Sequence, residues 1–223
     1  MKVIGIEYGR VSLLVDLLDL GTRTGIHLPE AAMHVQSRYA FVHAPSVPPP
    51  QAQQMYRFEQ GRLVTDKKQY SISAFEIHPH GLVVQGTDTD AAEAFFEDFF
   101  TFGIEHLHLK KPEREPTRVF LSAMVVEFAS DTNKFLAKWK EISKAFGGQL
   151  EKAYGISEPA QLSRLSLQPD PQAIAPRLAA LMNEFTIERR IYEPYGHQRY
   201  YTAAPLRTDD HIALLQRLEQ IAL

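Results

Sequence analysis

Apolar positions recur with two different periods along this chain of 223 residues, and the switching between them predicts an α+β protein. Lys2 to Glu7 is short, apolar and β-branched, as a buried strand is. Val11 to Leu20 fits neither template cleanly and is assigned to a second strand, reached through a turn at Glu7-Tyr8-Gly9-Arg10. A further strand is expected at Arg38 to His43, followed by a proline-rich linker at Ala44 to Pro50. From Met55 the pattern becomes a meander. One hairpin is expected about Gln60-Gly61, and another about His78-Pro79-His80-Gly81, where proline and glycine hold the second and fourth turn positions.

A helix then follows with Asp90 as its cap, Glu93 three residues on, and Ala92, Phe95, Phe96, Phe99, Phe100 and Gly103 at helical spacing. In the second part of the chain the same reasoning gives a strand at Arg118 to Phe128. It then gives a helix from Ser130 or Asp131 that carries Phe135, Leu136, Trp139, Ile142 and Phe146 and ends at Gly147-Gly148. A strand near Leu162 to Leu167, a helix between Pro171 and Met182, a hairpin from Phe185 to Ala204 and a last helix from Thr208 to Ala222 complete the prediction.

The order repeats. Phe75, Pro79-His80-Gly81 and Thr89-Asp90 are matched by Phe185, Pro194-Tyr195-Gly196 and Thr208-Asp209, with the turn-to-cap spacing longer in the second copy. Pro-x-Gly turns and Thr-Asp caps also arise independently, so convergence is the first reading of the repetition and duplication the second. The expected architecture is antiparallel hairpins or sheets covered on one face by amphipathic helices, in two similar halves. The halves are residues 1–109 and 117–223, and Lys110 to Pro116, charged and with prolines at 112 and 116, is the linker between them.

Composition narrows the function mainly by exclusion. Hydrophobic residues make up 44% of the chain, enough for a sizeable core. With 24 basic and 27 acidic side chains the net charge is -3, so nothing sequence-wide attracts nucleic acid or an anionic membrane. Absence of cysteine excludes disulfides, thiolate zinc sites, iron-sulfur clusters and cysteine nucleophiles. The start of the chain reaches Glu7 and Arg10 without a signal-peptide core, and the apolar stretches are too short to span a bilayer, so a cytoplasmic location is expected.

Three places carry residue types suited to chemistry. Glu76, His78 and His80, and separately His106 and His108, have the spacing that a strand would turn to one face. The turn at Pro79 to Gly81 removes His80 from the first set, no third ligand is evident, and no metal or cofactor is expected. Arg190, Tyr192, His197, Arg199 and Tyr201, on the hairpin 185–204, combine guanidinium forks with aromatic rings and are candidate contacts for an anionic ligand. Ile4-Gly-Ile-Glu-Tyr-Gly9 resembles the first phosphate hairpin of actin-like ATPases over one hairpin only. Glu7-Tyr8-Gly9-Arg10-Val11 replaces the acidic residue and hydroxyl-rich turn of that family, and no second phosphate loop follows, so the plain strand reading stands.

No Walker loop, dinucleotide fingerprint, nucleophile elbow or His-Glu-x-x-His helix occurs, and catalytic residues remain unassigned. Phe99 and Phe102 widen the apolar arc of their helix, whose first reading is core and whose second is an interface. The expected function is therefore a non-enzymatic subunit of an assembly that binds another protein or its own kind, with neither membrane nor nucleic acid as partner. An enzyme or ligand-binding protein using the Arg/Tyr hairpin is the alternative.

Overall fold

Among the described residues of the computed structural model, eight strands form one antiparallel sheet in the order β2-β3-β4-β1-β5-β8-β7-β6. They are β1 (Lys2–Leu14), β2 (Tyr56–Val64), β3 (Gln69–His78), β4 (Gly81–Gly86), β5 (Thr117–Glu127), β6 (Arg164–Leu167), β7 (Phe185–Arg189) and β8 (Arg199–Ala204). Among the described residues the helices are α1 (Leu17–Leu20), α2 (Leu28–Tyr39), α3 (Thr89–His106), α4 (Pro176–Ala179) and α5 (Thr208–Ala222). The structure describes residues 1–21, 28–45, 55–66, 68–112, 114–129, 148, 151–152, 163–168, 170–179, 181–190 and 192–222. The helix expected after Ser130 lies outside the described residues. The α+β class holds: one antiparallel sheet carries amphipathic helices.

Both halves use the same order. The first runs β1-β4-β3-β2 and the second β5-β8-β7-β6, with β1 and β5 paired antiparallel at the centre. Gly9 is where β1 begins to pair with β4, and Ser122 is where β5 begins to pair with β8. These two residues are also direct partners of one another. A pseudo-two-fold axis therefore passes between them.

Above it, the helices that follow β4 and β8 begin side by side. The Thr208 N–H donates to Thr89 Oγ1 at 2.9 Å, and the Thr89 N–H donates to Thr208 Oγ1 at 3.1 Å. The two hydroxyls are themselves 3.1 Å apart, and both residues are buried. First-turn amides have no partner within their own helix, and here each helix supplies the acceptor for the other. Glu93 adds an ionic tie between halves, accepting from Arg207 at 2.9 Å and lying 3.7 Å from Arg118.

The core divides the same way. Phe58, Phe75, Phe95, Phe96 and Phe99 pack with Val35, Tyr39 and Phe41 over the first half, each fully buried ring contributing about 1.5–3 kcal/mol. Met124, Val126, Phe128, Phe185, Ile187, Tyr200 and Leu215 do so over the second. Burial and the Asp98 carboxylate, 2.9 Å from its hydroxyl, hold the Tyr39 phenol above its ordinary range.

Several local expectations are corrected. No turn interrupts residues 7–10: β1 is continuous because β5 pairs along its whole length, and register shifts between Val3 and Gly5 and between Ile6 and Tyr8 absorb Ile4 and Glu7 as bulges. Gln60-Gly61 lies within β2 rather than at a hairpin tip. The Phe41 ring covers Gly61 so closely that an added Cβ would overlap it.

Arg38 and Tyr39 end a helix instead of starting a strand. Ala40 takes φ 48°, Phe41 N–H bonds to the Gln36 carbonyl at 3.1 Å, and the chain reverses so that His43 bridges to Glu59. Asp88, not Asp90, caps α3, accepting from the Ala91 N–H at 2.7 Å. Between 171 and 182 the described residues form a 3-10 turn at Pro171–Ala173 and then α4, which begins at Pro176, where the missing N–H of proline is tolerated in a first turn.

Candidate functional site

The 185–204 hairpin brings its candidate residues near one another but neutralises their charge. Arg199 pairs across the sheet with Glu127, donating from Nε to Oε2 at 2.8 Å, and its Nη1 reaches Glu193 at 3.4 Å. Those hydrogen bonds raise the Arg199 pKa, and Arg199 in turn holds Glu127 below the usual carboxylate range. Glu193 is lowered too, chiefly by His197, whose Nδ1 lies 3.3 Å from its carboxylate. Arg190 meets Glu7 at 3.5 Å.

Arg189, adjacent in sequence, points the other way. It is buried, donates to the Tyr200 hydroxyl at 3.0 Å and lies 5.1 Å from that ring centroid. Alternation along β7 therefore separates the paired arginines instead of presenting a double fork. Tyr201 lies opposite Glu188, and its phenol is pushed up to about 12, first by burial and then by its hydrogen bond with Tyr8. Ile191 lies outside the described residues.

What the hairpin offers instead is its tip. Tyr192 is fully exposed, at 100%, and takes φ 71°, a conformation unusual for a side chain of this size. Glu193 N–H bonds to the Arg190 carbonyl at 3.4 Å, Arg190 N–H to the Arg199 carbonyl at 3.2 Å, and His197 N–H to the Pro194 carbonyl at 3.0 Å. Together with the Glu193-Arg199-Glu127 chain of ion pairs, these bonds tie the tip down on both sides of the tyrosine.

The other candidates separate. Phe99 is 4% exposed inside the core, in ring contact with Phe75 and Phe95. Phe102 is partly buried against α2, under Arg38 at 5.5 Å and beside Tyr39. His78 bonds to Glu76 at 3.0 Å, whereas His80 leans toward Asp16 at 3.7 Å, so the turn does part them. His106 lies 3.8 Å from Glu105, and among the described residues no group of three or more His, Asp or Glu could hold a metal ion.

Two buried polar arrangements escaped the sequence reading. One is the Thr89–Thr208 pair, although its signal, the repeated Thr-Asp, was present. The other is His211, whose Nδ1 lies 2.8 Å from Ser122 Oγ and Nε2 2.9 Å from Thr202 Oγ1. Thr208, His211 and Leu215 recur at helical spacing, which would have placed His211 on the buried face.

No protein-family model matches this chain, and no curated relative is found by sequence comparison. Among the described residues, no helix is long and apolar enough to cross a membrane.

Proposed function

We propose that this chain is a non-enzymatic cytoplasmic protein that acts by binding another protein or a second copy of itself, as an adaptor or structural component of an assembly. The observation carrying this reading is the β7–β8 tip, where a tyrosine stands wholly in solvent on a backbone held by ion pairs and amide bonds. Tyrosine is favoured at binding hot spots because it offers a large amphipathic surface at low entropic cost. A tip held before contact reduces the ordering cost of association. Exposed Ile4, Ile6, Met33, Val42 and Val64 add apolar surface elsewhere.

The competing reading, an anion site on the same hairpin, is opposed by charge: Arg199 already serves two carboxylates and Arg190 faces Glu7. Light scattering, together with affinity isolation from native cells of the wild type and Tyr192→Ala, tests the proposal. The expected result is a stoichiometric complex that Tyr192→Ala loses while its circular dichroism is unchanged. A strict monomer, stabilised by phosphate or nucleotide and indifferent to Tyr192→Ala, overturns it.

A further inference from the structure

His211 sits in the first turn of α5 with 0% exposure, its two ring nitrogens held by hydroxyls of β5 and β8. A neutral imidazole suits that setting, donating from one nitrogen and accepting at the other. An imidazolium does not. Among the described residues it would find no counter-charge in the interior, and it would stand at the positive end of the helix dipole.

Charged groups on the packed elements are occupied elsewhere. On β5, Arg118 pairs with Glu93 and Glu115, and Glu127 with Arg199 of β8. On β7, Glu188 faces Tyr201 across the sheet, Arg189 engages Tyr200, and Phe185 turns its ring toward the imidazole at 6.1 Å between centroids. On α3, Glu93 is held by Arg207. On α5 itself Asp209 and Asp210 are exposed, and Glu219 bonds to the Met1 amino group and the Ala129 N–H.

We propose that the Ser122–His211–Thr202 cluster is an acid-responsive latch: protonation of His211 releases the start of α5 from β5 and β8, opening the second half before the first. The geometry sets the direction. Burial lowers the folded-state pKa to about 4 from 6.5, so the latch is fully closed above the unfolded-state value and weakens as pH falls toward the folded one. One linked proton changes the opening equilibrium by up to tenfold per pH unit in that window.

Hydrogen exchange on the full chain between pH 7 and 4, corrected for intrinsic rate, reads this directly. Opening of the first two turns of α5 is expected to rise up to tenfold per pH unit and to expose the Thr89 N–H that Thr208 caps, while α3 amides beyond the first turn keep their protection. In His211→Gln, whose amide can still donate and accept, the pH dependence disappears; Glu219 is unchanged in that variant, so its titration is controlled. Should that variant not fold, NMR titration of the wild-type imidazole takes its place, with a midpoint well below 6.5 expected. A flat α5 profile, an equal slope in His211→Gln, simultaneous loss of protection in α3 beyond its first turn, or an imidazole that titrates normally overturns the proposal.

Discussion

Replacing Thr89 by valine keeps the side-chain shape and removes one hydroxyl, the acceptor of the Thr208 N–H at 2.9 Å. Thr89 and Thr208 are both buried, at 0% and 4% exposure, so the Thr208 amide gains no water in exchange. An unsatisfied buried donor costs about 1–3 kcal/mol, and Thr208→Val should cost a similar amount by orphaning the Thr89 N–H. The double variant loses both amide bonds, but the hydroxyl-to-hydroxyl bond only once. Its destabilisation should therefore fall short of the sum, with a coupling of about 0.5 kcal/mol or more. Thr89→Ser retains the hydroxyl and serves as the control. Urea unfolding followed by circular dichroism supplies the four free energies. Single variants within about 0.5 kcal/mol of wild type, or strictly additive losses, would refute the claim that the helices cap each other across the pseudo-axis.

Other outcomes follow from the same coordinates. Ala40→Gly should stabilise the protein by about 0.5–1 kcal/mol, since Ala40 holds φ 48° at the end of α2, where an L side chain is strained; a thermal midpoint raised by about 1–4 °C would show it. Gly9→Ala should destabilise by about 3 kcal/mol or fail to fold, because an added Cβ would overlap the Asp88 carbonyl carbon and Thr89 nitrogen; an unchanged urea midpoint would contradict that packing. Tyr192→Ala should change stability by less than about 0.5 kcal/mol, as a fully exposed ring buries nothing, and a larger loss would show the tip to be structural.

Much of the fold was legible because local signals and tertiary demands agreed. Val119 to Val126 reads as a strand and is one, and the Phe95, Phe96 and Phe99 stripe reads as a buried helix face and is one. Reading failed where a distant segment decided the matter. Nothing local in Glu7-Tyr8-Gly9-Arg10 reveals that β5 will pair through it, and nothing in Arg38 to His43 reveals that Ala40 will adopt a left-handed turn. The repeated Thr-Asp was visible, but that its two copies would touch depends on β1 and β5 pairing.

At the hairpin, sequence proximity gathered Arg190, His197, Arg199 and Tyr201 on one β-ribbon, and Glu193, close to them in the chain, does reach Arg199. It missed Glu127 and Glu7 as partners, because both come from strands far away in sequence. Those two acids turn a patch that looked cationic into one whose arginines are already engaged.

Contact at the hairpin tip is the most direct test of the proposed binding role. A photo-crosslinking amino acid placed at 192 in the full chain, compared in native cells with the same group at the exposed position 115, measures it. The account predicts a single dominant adduct at 192, with one other protein or with a second copy, and none at 115. Equal, heterogeneous labelling from both positions, or no adduct at 192, would contradict it.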